Sequence, residues 1–322
     1  MSVINLSNGS IIRTFTLPPE GFDPLTASAS QLAVHGFPTR PEDPAQLAVF
    51  VNHYTRMKGR LRYIEPTFTV HPSLRPPKPS GIQIEAGGTV PFWSGAVVYA
   101  PSGQSFKWVQ AEWVVPNVST FVGSNTIGST QNAYVEVAWI GLGNSSLLQA
   151  GSGASISPGG KPSFFLWHEW TPPGLVTINN LPLNGGDLIS VVICTPSGAG
   201  SITSSVYFTN NTQGLQTSYT LSFPEGLGDP KSFLGDQAEW IVERPSVPGG
   251  LAVLPNYGQV FFSSCNAALT NGTIVNAGTT GGNNGSINMV TTNGVLLSTG
   301  AIVAPTIVQC EYNGSIQGTV SV

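Results

Sequence analysis

Thirty-eight glycines and 26 prolines punctuate a chain of 322 residues in which Asp, Glu, Lys and Arg amount to only 9%. Breakers at that density leave little room for long helices and cut the chain into short runs of the strand type. From about Ile82 onward the clearest runs are Gly95–Ala100, Phe106–Val115, Ala133–Leu142, Ser163–Trp170, Leu188–Thr195, Ser201–Thr209, Gln216–Phe223, Asp236–Arg244, Gln259–Ser264 and Ile307–Tyr312. Clusters of Gly, Pro, Asn and Ser separate them, as turns require. So many strands without intervening helices predict an all-β domain of two antiparallel sheets packed face to face. No repeat of the solenoid or propeller kind is present.

The first 80 residues read differently. Asp43 as N-cap, Pro44 in the first turn, apolar Leu47, Phe50, Val51, Tyr54 and Met57 on one face, and Gly59 after the last turn predict a helix. A weaker helix is expected from about Thr26 to His35, stopped by Gly36 and Pro38. The chain then turns basic at Arg56, Lys58, Arg60 and Arg62, and becomes Pro-rich at Pro66, Pro72, Pro76, Pro77 and Pro79. That stretch reads as a linker. The expected division is therefore a partly helical segment over 1–80 and a β-sandwich domain over 81–322.

Charge divides the same way. Residues 1–90 carry eight basic and six acidic side chains, whereas 91–322 carry four basic and ten acidic ones. With so few strong bases, the second region gains little positive self-repulsion when its carboxylates protonate, which suits an acid-tolerant protein. It also lacks the clustered basic face that nucleic acid would need. No stretch is apolar for long enough to cross a membrane, and the first residues lack the basic and apolar blocks of a signal peptide. Eight Asn-X-Ser/Thr triplets occur, a number that a chain rich in Asn, Ser and Thr reaches by chance.

Several chemistries fall away for want of residues. Three of the four histidines, His35, His53 and His71, lie in the N-terminal segment, leaving only His168 for a Ser-His-Asp or Cys-His site. Neither a zinc ligand set nor a phosphate-cradling Gly-Lys-Ser/Thr loop is present. Cys194 sits in an apolar run as a small hydrophobe, while Cys265 and Cys310 stand on separate strands where a bridge is open but not required.

Carboxylates and amides remain. Alternation along Gln237–Glu243 puts Gln237, Glu239, Ile241 and Glu243 on one face and Ala238, Trp240 and Val242 on the other. Glu239 and Glu243 are then separated by roughly 13 Å at the usual strand rise. That is wider than the carboxylate pair of either glycosidase class, which reaches about 9.5 Å. Taken alone, the strand could equally be a solvated face with two ordinary acids.

The motifs Ala138-Trp139-Ile140-Gly141, Leu147-Leu148-Gln149-Ala150-Gly151, Trp167-His168-Glu169-Trp170 and Ala238-Glu239-Trp240-Ile241-Val242-Glu243 change that balance. In order and spacing they resemble the glutamic peptidase (eqolisin) family over about residues 91–322. The resemblance implies a concanavalin A-like, lectin-like sandwich of two curved antiparallel sheets, secretion, and acid endopeptidase activity by a non-covalent mechanism without a cofactor. By the same resemblance, Gln149 and Glu243 form the catalytic dyad. Trp139, Glu169 and Trp93 correspond to cleft residues that contact substrate, with Glu239 beside them on the Glu243 strand. The family's frequent Asp residues are replaced by Gly143 and Phe165, which bears on cleft electrostatics rather than on the dyad. Implied partners are protein or peptide substrates, neither nucleic acid nor membrane. Residues 1–80 would stand where the family keeps its propeptide, with Arg56, Lys58, Arg60 and Arg62 docking autoinhibitorily on the acidic catalytic region. The rival reading is a carbohydrate-binding lectin-like sandwich that uses Trp and Tyr platforms without catalysis.

Overall fold

The computed structural model describes residues 2–74, 88–120, 134–171, 174–223, 232–279 and 284–314, and the apolar-alternating runs become its strands. The N-terminal part holds β1 (Val3–Asn5), β2 (Ile11–Thr14), α1 (Ala29–Val34), α2 (Pro44–Met57), β3 (Arg62–Tyr63), β4 (Phe68–His71) and β5 (Gly88–Val90). Next come β6 (Trp93–Tyr99), β7 (Phe106–Val114), β8 (Tyr134–Leu142), β9 (Leu148–Ile156), β10 (Pro162–Trp170) and β11 (Leu175–Ile178). They are followed by β12 (Leu188–Cys194), β13 (Thr203–Asn210), β14 (Leu215–Ser222), β15 (Gln237–Glu243) and the short hairpin β16 (Ser246–Val247) and β17 (Gly250–Leu251). The chain closes with β18 (Gln259–Leu269), β19 (Ile274–Asn276), β20 (Asn284–Val290), β21 (Leu296–Ala304) and β22 (Ile307–Tyr312).

Two mainly antiparallel sheets result. Sheet A runs β1-β2-β14-β13-β12-β7-β18-β19, with β3 parallel to β14. Sheet B runs β4-β11-β10-β9-β8-β15-β6-β20 and continues through β21 and β22 to β18, with β5 parallel to β20. Strand β18 belongs to both: Gln259–Phe262 pair with β22, and the residues from Ser263 on pair with β7 and β19. The switch falls at a bulge where Ser264 takes φ 55°, the one non-glycine residue with positive φ among those described. A bulge bends and twists a strand, which lets it leave one layer for the next.

Between the sheets lies an apolar core built from Val109, Ala111 and Trp113 of β7, Ile140 of β8, Trp240 and Val242 of β15 and their neighbours. Burying each of these larger side chains contributes about 1.5–3 kcal/mol. Cys265 and Cys310 lie in this core as free thiols, their sulfurs directed to the carbonyls of Phe262 and Ser94. The inter-strand bridge left open by the sequence is not made.

The N-terminal segment is woven into both sheets rather than set apart from them. It supplies β1, β2 and β3 to sheet A and the edge strand β4 to sheet B. Part of the Pro-rich stretch is thus a strand, because Pro66 and Pro72 flank the four ladder residues without interrupting them. Pro76, Pro77 and Pro79, and the expected boundary at 80/81, lie outside the described residues.

Helix α2 starts as its sequence predicts, with the Asp43 carboxylate accepting from the Gln46 N–H at 2.9 Å. Helix α1 is shorter than expected because Ser28 and Gln31 close a reciprocal capping box that sets its first turn. The buried stripe of α2 is Phe50, Tyr54 and Met57, and Val51, one step of about 100° away, points outward. Phe50 and Tyr54 of this stripe join Ala27, Leu32 and Phe37 in a separate apolar cluster of the N-terminal segment, and the helix meets the outer face of sheet A through its polar side chains. There Glu112 of β7 accepts from Arg56 at 3.0 Å and from the Ser190 hydroxyl at 2.9 Å, with His53 at 3.7 Å. Arg60 donates to the Asn211 carbonyl, and Lys58 lies 3.5 Å from Asp23. Arg56 and Arg60 thus meet the region from residue 91 on, as expected, but on sheet A at Glu112 and Asn211, whereas the Glu243 strand lies in sheet B; Lys58 pairs within the N-terminal segment.

Candidate active site

Strand β15 lies between β6 and β8, so alternation alone decides where its side chains go. Ala238, Trp240 and Val242 turn into the inter-sheet core, and Glu239, Ile241 and Glu243 turn to the outer face of sheet B. The same rule on neighbouring strands brings Val137, Trp139 and Gly141 of β8, Gln149, Gly151 and Gly153 of β9, and Phe165, Trp167 and Glu169 of β10 to that face. Register then lines them up in three rows across the strands. The first is Glu169–Gln149–Gly141–Glu239, the second Trp167–Gly151–Trp139–Ile241, and the third Phe165–Gly153–Val137–Glu243–Trp93. All six residues expected at the site, Gln149, Glu243, Trp139, Glu169, Trp93 and Glu239, share one face.

Two hydrogen bonds organise them. The Trp139 indole N–H donates to Glu243 Oε2 at 2.7 Å, and the Gln149 amide donates to Glu169 Oε2 at 3.4 Å. Glu169 Oε1 accepts from the Gly174 backbone N–H at 3.0 Å. Trp93 meets Trp139 edge-on with ring centroids 5.2 Å apart, so the ring that holds Glu243 is itself held. Gly141 makes room for that ring, since a Cβ there would stand 2.8 Å from the Trp139 Cζ3.

Gln149, Glu239 and Glu243 are fully buried. Gln149 Oε1, Glu243 Oε1 and both carboxyl oxygens of Glu239 have no hydrogen-bond partner among the described residues. Burial pushes the Glu243 carboxyl well above the usual range; the Trp139 bond pulls it down and the nearby Glu169 pushes it up again. Glu239 is likewise raised, by burial first and then by Asp236 and Glu243. An uncharged buried acid is held ready to exchange a proton with whatever enters.

Sequence reasoning passed over two aromatic members of this face. Trp167 was visible only as part of a motif, yet it lies buried on the same row as Trp139 and donates to the Ser152 carbonyl. Phe165 was noted only as a departure, although counting by twos from Glu169 would have put it on this side. His168 turns the other way, into the core, where its Nδ1 meets the Tyr219 hydroxyl at 2.6 Å and burial holds its pKa down to about 3. Among the described residues no three His, Cys, Asp or Glu side chains converge so as to hold a metal ion.

Residues 91–312 match the peptidase A4 family. Over 198 residues the chain is 27% identical to Aspergillopepsin-2 of Aspergillus niger, an alignment that takes in 56% of this chain and 66% of that protein. Among solved structures, scytalido-glutamic peptidase with a transition state analog inhibitor superposes with a TM-score of 0.52 at 20% identity. That superposition covers 69% of this chain and 98% of the other, so the two share a fold.

Proposed function

The chain belongs to the peptidase A4 family, the glutamic peptidases, and from that membership we propose that it is an acid-active endopeptidase in which Gln149 and Glu243 activate water. The observation that carries this reading is that Gln149 Oε1 and Glu243 Oε1, on one buried face, have no hydrogen-bond partner among the described residues, while Trp139 engages the other Glu243 oxygen and Glu169 the Gln149 amide. In this reading the sandwich is of the lectin-like type and a peptide lies across the strands of sheet B.

The chemistry follows from the groups. Ionised Glu243 takes a proton from a water whose oxygen bonds to the peptide carbonyl carbon, and returns that proton to the leaving nitrogen as the C–N bond breaks. Gln149 does not titrate. Its amide, bound to Glu169 only at the long distance of 3.4 Å, is free to turn toward the oxyanion as charge develops there. Trp139 keeps the Glu243 carboxyl in one orientation through Oε2, which leaves Oε1 for the water. Access of water and substrate lowers the Glu243 pKa from its buried value, because solvation favours the charged form.

Acid dependence comes from two carboxyls on one face. Glu169 raises the Glu243 pKa by its charge, so both cannot ionise comfortably together. Activity then belongs to a singly ionised state of the pair, which titrates as a unit with a bell-shaped profile.

The test is cleavage of a denatured protein between about pH 2 and 7 by the wild-type chain, Glu243→Gln and Gln149→Ala. Loss of the base should cost about 10²–10⁴-fold and loss of the oxyanion donor about 10²–10³-fold, with circular dichroism unchanged. Wild-type rates in either variant, or no cleavage by the wild type, would overturn the reading. The carbohydrate-binding alternative gains nothing from this face, where Trp93, Trp139 and Trp167 are buried rather than laid out as sugar platforms.

A further inference from the structure

The face that bears Glu243 does not end at the dyad. At its β4 edge it opens into a cavity of about 530 Å³ walled by Val135, Phe165 and Leu74 on the apolar side and by Thr69, His71 and Thr177 on the polar side. Register places these residues on the outer face of sheet B: Thr177 stands opposite Trp167, Thr69 opposite Thr177, and His71 opposite Leu175. The wall formed by Thr69, His71 and Leu74 lies before residue 91, where the family match begins. It belongs to the extra edge strand that the N-terminal segment adds to this sheet.

Phe165 joins the cavity to the dyad. A Cβ on Gly153 would stand 2.4 Å from the Phe165 ring and 3.0 Å from Val137, so glycine lets that ring fold back across its neighbouring strand. Val137 is in turn the register partner of Glu243. A continuous apolar floor therefore leads from Glu243 to the cavity across three strand spacings, about 14 Å, or about four residues of extended peptide. Among the described residues that line the cavity none is Asp, Glu, Lys or Arg, and the one titratable side chain among them, His71, meets the Thr177 hydroxyl at 3.0 Å.

We propose that this cavity is a substrate subsite for an aromatic side chain about four residues from the scissile bond, built by β4 and floored by Phe165. The inference deepens the endopeptidase reading and rests on it. An uncharged pocket with an aromatic floor selects an aromatic side chain over a charged or small one, because ring-on-ring packing adds to area burial. Burying such a ring is equivalent to about a 10–100-fold gain in affinity.

The experiment uses full-length Glu243→Gln protein and a set of peptides of one parent sequence, each carrying a single Phe in place of Ala at a different position. Calorimetry at acid pH reads the affinities. One distal position should show a gain of about 10–100-fold, and Thr69→Trp, which fills the cavity from an exposed edge-strand site, should erase that gain. Phe165→Ala should erase it too, which guards against a misfolded Thr69→Trp protein. No binding, no positional dependence, or a gain that survives both substitutions overturns the subsite. A wild-type chain that cleaves with a site preference and KM untouched by Thr69→Trp removes the subsite and leaves the endopeptidase. A Thr69-sensitive Phe gain in a chain whose wild type cleaves nothing removes the endopeptidase and leaves a peptide-binding groove.

Discussion

Glu112 on the outer face of sheet A and Glu243 on the outer face of sheet B are both largely buried strand glutamates, yet their surroundings move them in opposite directions. Burial pushes Glu112 up, but His53, Arg56 and the Ser190 hydroxyl outweigh it and leave its pKa below the ordinary value. Around Glu243 only the neutral indole N–H groups of Trp139 and Trp93 oppose burial and a neighbouring acid, and the pKa stays well above it. Glu136, facing the core from β8 with neither oxygen hydrogen-bonded among the described residues, goes the same way and is pushed up to about 8 by burial. The lesson is that partners, not depth, decide what acid does to a buried carboxyl. A paired acid gives stability that is complete above the unfolded pKa and is lost as pH falls through the lowered folded value. A raised acid gives stability that is complete below the unfolded pKa and is lost as pH rises toward the folded value. Acid should therefore loosen the α2 seam on sheet A while it suits the sheet B face and the core.

The sharpest way to break this comparison is to neutralise each acid in turn. Glu243→Gln should lower cleavage by about 10²–10⁴-fold, whereas Glu112→Gln should leave the rate at its optimum unchanged. Equal losses would mean that the two faces are not functionally separate. Next in size, Glu136→Gln should flatten the dependence of stability on pH. Between pH 4.5, the ordinary carboxyl value, and pH 7 the wild-type chain should lose about 3 kcal/mol through this one group, read by urea denaturation at both pH values. A variant that loses as much as the wild type would show that Glu136 is not the source. Glu169→Gln should turn the bell-shaped rate profile into a plateau by removing the upper limb and moving the acid limb down by roughly one pH unit. A profile identical to wild type would separate Glu169 from the chemistry. The smallest effect belongs to the partly exposed ion pair of α2: below the ordinary carboxyl pKa, amide exchange in Pro44–Met57 should quicken by an amount equivalent to about 0.5–1 kcal/mol. Glu112→Gln should show the quick exchange at all pH values, and unchanged exchange would mean that packing alone holds the helix.

How far the sequence could be read depended on whether the controlling contacts were local. The cap of α2 was legible because Asp43, Pro44 and Gln46 act within one turn. Val51 was misplaced because five apolar residues span more than one stripe, and only the tertiary packing chose which of them to bury. The stretch around Gln149 reads as strand, but its continuation Gly151–Ile156 is rich in Gly, Ser and Ala and carries no useful alternation. It is a strand because β8 and β10 pair with it along both edges. β4 was hidden among prolines for the same reason, its four residues being held by β11.

The alternation of Glu239, Ile241 and Glu243 was determined by the chain itself, since a strand has a period of two whatever surrounds it. So were the all-β character, the scarcity of histidine outside the N-terminal segment, and the order of the motifs that carry the family resemblance. Tertiary structure alone decided that Glu169, Gln149 and Glu239 share one register row, that Trp139 points its N–H at Glu243, and that α2 lies on sheet A rather than over the dyad. Register and layer packing are set by contacts between residues far apart in sequence, and no local pattern in the chain encodes which strand will be the neighbour.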